Sequence, residues 1–413
     1  MPHMRLLLAI LVGKIIAKLT RFFHIGGGSA APGLFALRID PQLVEKLVKK
    51  IPTNIVITGT NGKTTTARML AHLAKEAGIK VIRNHTGSNM ERGIASALIS
   101  HYTLYPIPLG EAASSAYTLG VWELDEAAFN SVAPKLKPDI IVFLNVSRDQ
   151  LDRYGEVDKV VNQWSETLSK LNPKTTILIN ADEPDLAKLK DHFKGKVKGF
   201  GKKDLKNVKL NGLNGSVFDI TIHYTLYTIH LPLPGMYHIY DTLAAITCAY
   251  HLDLPVHPEI FKDFSPAFGR VEKLDFGYIF LIKNPAGATQ VFETIAPQIK
   301  PSDRLLLALN DNLADGTDVS WIWDADFEQL KIENLKLKIV CSGSRANDLA
   351  VRLKYAGFDP KAILIEPNLK KALQQARESL KGKLFILPTY TAMLQLQRIL
   401  ARSGHKKYYW EES

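Results

Sequence analysis

The chain has 413 residues, 46% of them hydrophobic and 23% charged, which suits an ordinary folded protein of two or three domains rather than a single core. Its two cysteines, Cys248 and Cys341, lie far apart without a Cys-x-x-Cys pair; this excludes a disulfide framework and a cysteine zinc site and fits a reducing cytoplasm. The net charge of +11 favours acidic partners such as nucleotides or phospholipid headgroups, and no recognition-helix or RNP-like motif supports nucleic acid.

From Arg5 to Phe23 the chain is rich in Leu, Ile and Phe, and Lys14, Lys18 and Arg21 recur at helical spacing. The uninterrupted apolar part, Leu6 to Val12, is too short to span a bilayer, and Lys14 and Lys18 interrupt the stretch that a signal peptide would need. The pattern predicts a basic amphipathic helix over residues 5–23. It either rests on a membrane surface or packs on the next domain. Gly26, Gly27, Gly28 and Ser29 then read as a flexible joint, within an N-terminal helix-and-linker segment of residues 1–45.

A central domain is expected over residues 46–262. It opens with the apolar run Asn54 to Ile57, the string Ile57-Thr-Gly-Thr-Asn-Gly-Lys-Thr-Thr-Thr66 and a helix-like stretch, Ala67 to Glu76. A strand, a Gly-rich turn and a helix start form an anion cradle, because free backbone N–H groups and the helix dipole point at the loop. Gly59, Thr60, Asn61, Gly62, Lys63, Thr64 and Thr65 are therefore assigned to a nucleoside triphosphate. Lys63 would neutralise β/γ-phosphate charge, and the Thr64 hydroxyl would ligate Mg²⁺. Only Thr60 and Asn61 separate Gly59 from Gly62-Lys63-Thr64, where an ordinary Walker A loop has four residues.

Strands are predicted at Asn54 to Ile57, Lys80 to Arg83, Tyr117 to Leu124, Asp139 to Asn145 and Thr175 to Asn180, alternating with helix-length segments. That alternation is α/β with a mostly parallel sheet, and it places ligands at the carboxyl ends of the strands. Glu123 is the first choice for a metal-holding carboxylate, with Glu126 in reserve; solvated charges after an edge strand are the alternative. Asn145 to Glu156 is charge-dense and either joins the site or forms an exposed loop held by Arg148 and Asp152. Asn180 and Asp182 face base and ribose, or serve turn chemistry alone. Residues 200–232 read as a β-hairpin-rich insertion, Asn207 to Leu213 and Val217 to Leu231 around Asn214-Gly215. Residues 263–413 form a second, Rossmann-like α/β unit, with strands near Phe276 to Ile282, Arg304 to Leu309, Leu337 to Cys341, Ala362 to Ile365 and Lys383 to Leu387.

Gly59 to Thr66, Glu123 in Glu-Leu-Asp-Glu, Asn145 through Asp152, Asn180-Ala-Asp182, Gly235 to Ala245 and Gly269-Arg-Val-Glu272 follow one another in the order of the Mur ligases, which this chain resembles. The compact loop is shared with folylpolyglutamate synthases. Lys283 to Gly287, Asn310 to Asp324, Ser342 to Arg345 and Pro388 to Thr391 resemble the MurT branch, the synthetase subunits of lipid II isoglutaminyl synthase. Fewer than sixty residues precede the loop, too few for the UDP-gripping domain of other Mur ligases.

The resemblance implies a Mur ligase-like P-loop ATPase domain and ATP-driven amidation of the D-glutamate α-carboxylate in lipid II to D-isoglutamine through an acyl phosphate. It also implies a cytoplasmic enzyme at the inner face of the membrane. Lys63, Thr64 and Glu123 with Mg²⁺ would assist phosphoryl transfer, and Arg270 would contact ATP or hold a hinge salt bridge. Ammonia would come from a class I-like, GatD-type glutaminase partner, whose Cys-His pair Asp318 would complete. Departures are also visible. Gln150 stands where Mur ligases usually have His, although the MurT branch shares it. His238 and Asp241 replace the Asn residues of the adenine-contacting helix; His still offers one hydrogen bond to a base, whereas a carboxylate cannot donate as Asn does. The hairpin region lacks the cysteines of the zinc ribbon that many relatives carry, so no zinc is expected. A folylpolyglutamate synthase-like amino-acid ligase and a non-catalytic nucleotide-gated scaffold are the alternative readings.

Overall fold

Short Ile-, Val- and Leu-rich runs between helix-length segments bury both faces of a strand, and this pattern needs helices on each side of a parallel sheet. The computed structural model describes residues 2–22, 30–84, 88–102, 119–148, 156–222, 225–265, 269–331 and 337–404. Six of its strands, β1 (Thr53–Thr58), β2 (Val81–Arg83), β3 (Leu119–Leu124), β4 (Ile140–Phe143), β5 (Thr176–Asn180) and β6 (Lys196–Phe200), form a parallel sheet in the order β2-β3-β1-β4-β5-β6. The chain direction across the sheet reverses around β1, so the carboxyl ends of β1, β3 and β4 open a crevice where a ligand sits.

One face of this sheet is covered by α1 (Pro2–Phe22), α2 (Ala31–Ile39), α3 (Leu43–Val48), α5 (Glu91–His101), α6 (Glu126–Leu136) and α7 (Val157–Leu168), around a core that includes Trp122, Phe129, Phe143 and Trp164. The other face packs on α4 (Lys63–Glu76), on α8 (Met236–His251) and on a small antiparallel sheet of β7 (Leu205–Leu210), β8 (Ser216–Ile222) and β9 (Thr225–Leu231). The single long strand expected over Val217 to Leu231 is thus two strands. Residues 223–224, between them, lie outside the described residues. β6 was not foreseen, because Lys-Val-Lys-Gly-Phe at a sheet edge carries too little apolar signal.

The second sheet has the order β10-β11-β15-β12-β13-β14, with β10 (Glu272–Leu274), β11 (Gly277–Ile279), β12 (Arg304–Ala308), β13 (Lys338–Ser342), β14 (Ile363–Ile365) and β15 (Leu384–Pro388). Only β10 runs antiparallel, folding back onto β11 from just before the strand expected at Phe276 to Ile282, which holds β11. α9 (Pro285–Ile295) and α10 (Ala346–Tyr355) cover one face, and α11 (Leu369–Arg377) and α12 (Tyr390–Arg402) the other.

The expected N-terminal helix is present over Pro2–Phe22, and the Gly26 to Ser29 joint lies outside the described residues. Leu6, Ala9, Ile10 and Gly13 face inward, and Lys14 Nζ also turns back, donating to the Tyr102 carbonyl. Met4, Leu8, Leu11, Ile15, Leu19 and Phe22 recur at helical spacing on the solvent side, and Phe22 is 78% exposed. The outward face is therefore apolar as well, rather than a simple basic stripe. Among the described residues no helix is long and apolar enough to cross a membrane.

Gly33 sets the seat of this N-terminal layer: its N–H donates to Ser96 Oγ at 2.8 Å, and a Cβ there would lie 1.9 Å from the Arg92 carbonyl oxygen. Gly33→Ala is expected to push α2 off α5 and cost about 1–3 kcal/mol, read as a lower denaturation midpoint.

Candidate nucleotide-binding and ligase site

Gly59 and Gly62 adopt φ of 137° and 87°, and a Cβ at either would meet the Asn145 carbonyl oxygen at 2.8 Å or Asp241 Oδ1 at 2.1 Å. The turn therefore demands glycine twice. Asn145, at the end of β4, grips the loop. Its carbonyl accepts from Thr60 N at 3.1 Å, its Oδ1 from Asn61 N at 2.8 Å, and its Nδ2 donates to the Asn61 carbonyl at 3.1 Å. Gly62 caps α4 without a side chain, leaving the first-turn N–H groups aimed at the loop.

Lys63 is buried, and its ammonium donates to the Gly59 carbonyl, to the Thr60 carbonyl at 3.2 Å and to Glu126 Oε2 at 3.2 Å. Thr64 Oγ1 donates to Glu123 Oε2 at 2.7 Å. The two carboxylates divide the work, Glu123 on the hydroxyl and Glu126 on the ammonium. Burial pushes the Glu123 carboxyl above its usual range, against the opposing pull of Thr64, Arg83, Lys63 and Arg270. Asn84 closes the end of β3 by bonding both the N–H and the C=O of Glu123.

A cavity of about 190 Å³ beside the loop is lined by Asn61, Thr65, Asn180, Asp182, His238, Asp241 and Arg270, among others. Asn180 Oδ1 accepts from Asp182 N at 3.1 Å, and Asp182 Oδ2 accepts from the Tyr240 hydroxyl at 2.8 Å. Arg270 projects from the turn after Gly269, whose N–H donates to Glu272 Oε1 at 2.7 Å. His238 Nδ1 lies 2.8 Å from the Pro234 carbonyl, which can only accept, so Nδ1 carries the proton. Burial drives the His238 pKa down to about 3, so Nε2 is a bare acceptor; it is buried with no partner.

Asp241 differs from the sequence-based expectation. Burial raises its pKa to about 8 against the pull of Arg270, so it is a neutral acid with an O–H to donate. Tyr237, Tyr240, Lys283 and Asn284 were not anticipated as site residues. Tyr240 is signalled only by sitting on the helix of His238 and Asp241. Asn284 pairs amide to amide with Asn61, at 3.2 and 3.1 Å, and Lys283 Nζ reaches the Thr60 carbonyl at 3.3 Å. The second α/β unit thus touches the loop directly.

Asp318 is not brought to this cavity. It lies on a turn of the second unit, where Oδ1 accepts from Ser320 N at 2.8 Å and that N–H holds the carboxyl below its usual range. Nearby in the same segment Trp323, 50% exposed, meets Tyr355 edge-on, and Leu313 is exposed. Arg148 pairs with Asp324 of the second unit at 2.5 Å; Gln150 and Asp152 lie outside the described residues. Both cysteines are buried, with the Cys248 thiol pushed up by burial and Cys341 pushed up to about 12, so neither is a ready nucleophile.

A compact phosphate loop at the switch point of a parallel sheet, with a following α/β unit reaching back onto it, is the architecture of Mur-type ligases. Residues 57–249 match the Mur ligase middle domain and residues 281–393 the MurT ligase C-terminal domain. The chain is 31% identical to the MurT subunit of lipid II isoglutaminyl synthase (glutamine-hydrolyzing) of Streptococcus pneumoniae, over 92% of this chain and 93% of that protein. The MurF ligase of Thermotoga maritima in complex with ADP shares the fold with a TM-score of 0.69 at 16% identity, covering 92% of this chain and 85% of that one. Mycobacterium tuberculosis folylpolyglutamate synthase complexed with ADP and AMPPCP does so at 0.66 and 16%, covering 95% and 99%. The chain belongs to the MurT family of ATP-dependent ligase subunits.

An unfolded Asp ionises near pH 3.8, whereas folded Asp241 holds its proton to about pH 8. The folded state binds the extra proton between those values, so this residue's contribution to stability declines as pH rises through that window. Asp241→Asn is expected to raise the denaturation midpoint near pH 8 by roughly 5 °C, with the gain vanishing toward pH 4, as measured by thermal scans across pH.

Proposed function

We propose that this chain is the synthetase subunit of a lipid II isoglutaminyl synthase. A carboxylate oxygen of the D-glutamate α-carboxylate attacks the γ-phosphorus of ATP, and ADP leaves. Ammonia then attacks the acyl carbon, loses a proton and expels phosphate, giving D-isoglutamine. Activation is needed because a free carboxylate is a poor electrophile. The observation that carries this reading is the adjacency of Lys63 and the Thr64–Glu123 pair at the mouth of the loop.

In this reading the loop amides and Lys63 hold the β- and γ-phosphates, and the ammonium exchanges its loop carbonyls for phosphate oxygen. Thr64 and Glu123 are hard oxygen donors suited to Mg²⁺, which when bound would neutralise charge on the transferring phosphoryl group. The bare Nε2 of His238 accepts from the adenine amino group, and Asn180 and Asp182 face base and ribose. Arg270 contacts phosphate as the two units close.

Ammonia comes from a partner glutaminase subunit. Asp318, its carboxyl held below the usual range, precedes in the same segment Trp323, which is exposed and meets the exposed Tyr355; such a surface suits a docked partner whose imidazole the acid would orient. The apolar outward face of α1 rests on the cytoplasmic leaflet that carries the substrate.

The test mixes the chain and its co-purifying partner with lipid II, ATP and glutamine and reads the product by mass spectrometry. An acid-to-amide change confined to the second stem residue is expected, and Lys63→Ala abolishes it. An unchanged product mass refutes the reaction. Asp318→Asn is expected to stop glutamine-dependent amidation and to spare the reaction with ammonium salt; equal loss with both nitrogen sources removes the assigned role. Deleting residues 1–22 is expected to abolish sedimentation with anionic vesicles, and unchanged sedimentation would remove the membrane contact.

A further inference from the structure

On the far side of α4 from the nucleotide cavity lies a second, more open cleft of about 660 Å³, bounded by α4, the start of β2 and the segment 263–265. Arg68, His72 and Lys75 line it together with Lys80 and Arg83, so four permanent cations (Arg68, Lys75, Lys80 and Arg83) face the single carboxylate of Asp263. Thr64, Arg68, His72 and Lys75 succeed one another at spacings of three and four, which stacks them on one helix face. The stripe starts at the hydroxyl bonded to Glu123 and ends about 16 Å away at Lys75.

The walls are built rather than loose. His72 Nε2 lies 2.7 Å from the Ile260 carbonyl, its ring meets Phe264 edge-on, and Arg68 donates to the Ser265 carbonyl at 3.2 Å. The inner end lies within electrostatic reach of Glu123. The Glu123 carboxylate acts on both Arg68 and Arg83, while burial holds each guanidinium below its ordinary value and, for Arg83, Arg68 adds to that. Half-buried cations whose like charges act on each other gain from an added anion.

We propose that this basic groove is the subsite for the anionic part of the acyl substrate, a diphosphate or a second carboxylate remote from the carboxylate being activated. The groove leads such a molecule along α4 so that its reacting carboxylate arrives at Glu123 and the terminal phosphate. The proposal rests on the lipid II reading above, whose substrate carries both kinds of anion.

Lys75→Glu/Lys80→Glu, two exposed positions outside the phosphate loop, is the test variant in the complex with the glutaminase partner. The KM for lipid II is expected to rise about tenfold or more and to lose its dependence on ionic strength, with kcat, the KM for ATP and glutamine hydrolysis unchanged. Lys206→Glu/Lys209→Glu, an equal charge change on the small sheet, is expected to leave the KM for lipid II in place. Calorimetry then separates the anions, using a disaccharide diphosphate without peptide and a muramoyl pentapeptide without phosphate. Binding lost only for the first assigns the groove to diphosphate, and lost only for the second assigns it to carboxylate. Both probes binding the variant as they bind the parent, or an unchanged KM, overturns the proposal. If the parent complex leaves lipid II unamidated, the reaction reading falls, while the groove still stands or falls on the two titrations.

Discussion

The structure is organised around one buried ammonium. Removing the Lys63 charge from water costs several kcal/mol unless oxygens surround it, and the chain supplies them from the Gly59 and Thr60 carbonyls and from Glu126. Those carbonyls turn inward only because Gly59 and Gly62 accept positive φ, and the loop stays in that shape because Asn145 at the end of β4 bonds it at three points. Each requirement leads to the next: the sheet order brings β4 beside β1, and the register puts Asn145 under the loop. The result is a preorganised cation with amides around it, which is what a polyphosphate needs.

Charge around this centre is kept in separate roles. Glu126 answers Lys63, Glu123 answers Thr64, and Asp241, which would add a third negative charge next to Gly62, is kept neutral by burial. His238 is likewise held neutral, with one nitrogen fixed by Pro234 and the other left as an acceptor. In the proposed reading, the base would thus meet neutral groups and the phosphates cations.

Much of the loop's geometry was legible in the sequence, because the loop is contiguous and its glycines, Lys63 and Thr64 stand at the spacing that a strand, tight turn and helix start require. Glu123 was legible as a carboxylate at a strand end. Asn284 was not: its partner Asn61 is 223 positions away, and no periodicity links them. The protonation of Asp241 depends on burial by several elements, which composition cannot show. The same holds for α1, where the sequence pattern suggested a charged outer face, yet Lys14 folds back to the Tyr102 carbonyl and leaves Met4, Leu8, Leu11 and Ile15 outward. The strand misread over Val217 to Leu231 has a plain cause, since that run alternates apolar and polar residues throughout and carries no glycine or proline to divide β8 from β9.

The second sheet joins two distant tasks. The chain leaving β11 carries Asn284 to the phosphate loop, the chain leaving β12 at the same end of the sheet leads on to Asp318, and β15 is hydrogen-bonded to both strands. Both side chains hang on one hydrogen-bonded frame, so a shift of that frame against the phosphate loop would carry Asn284 and Asp318 together.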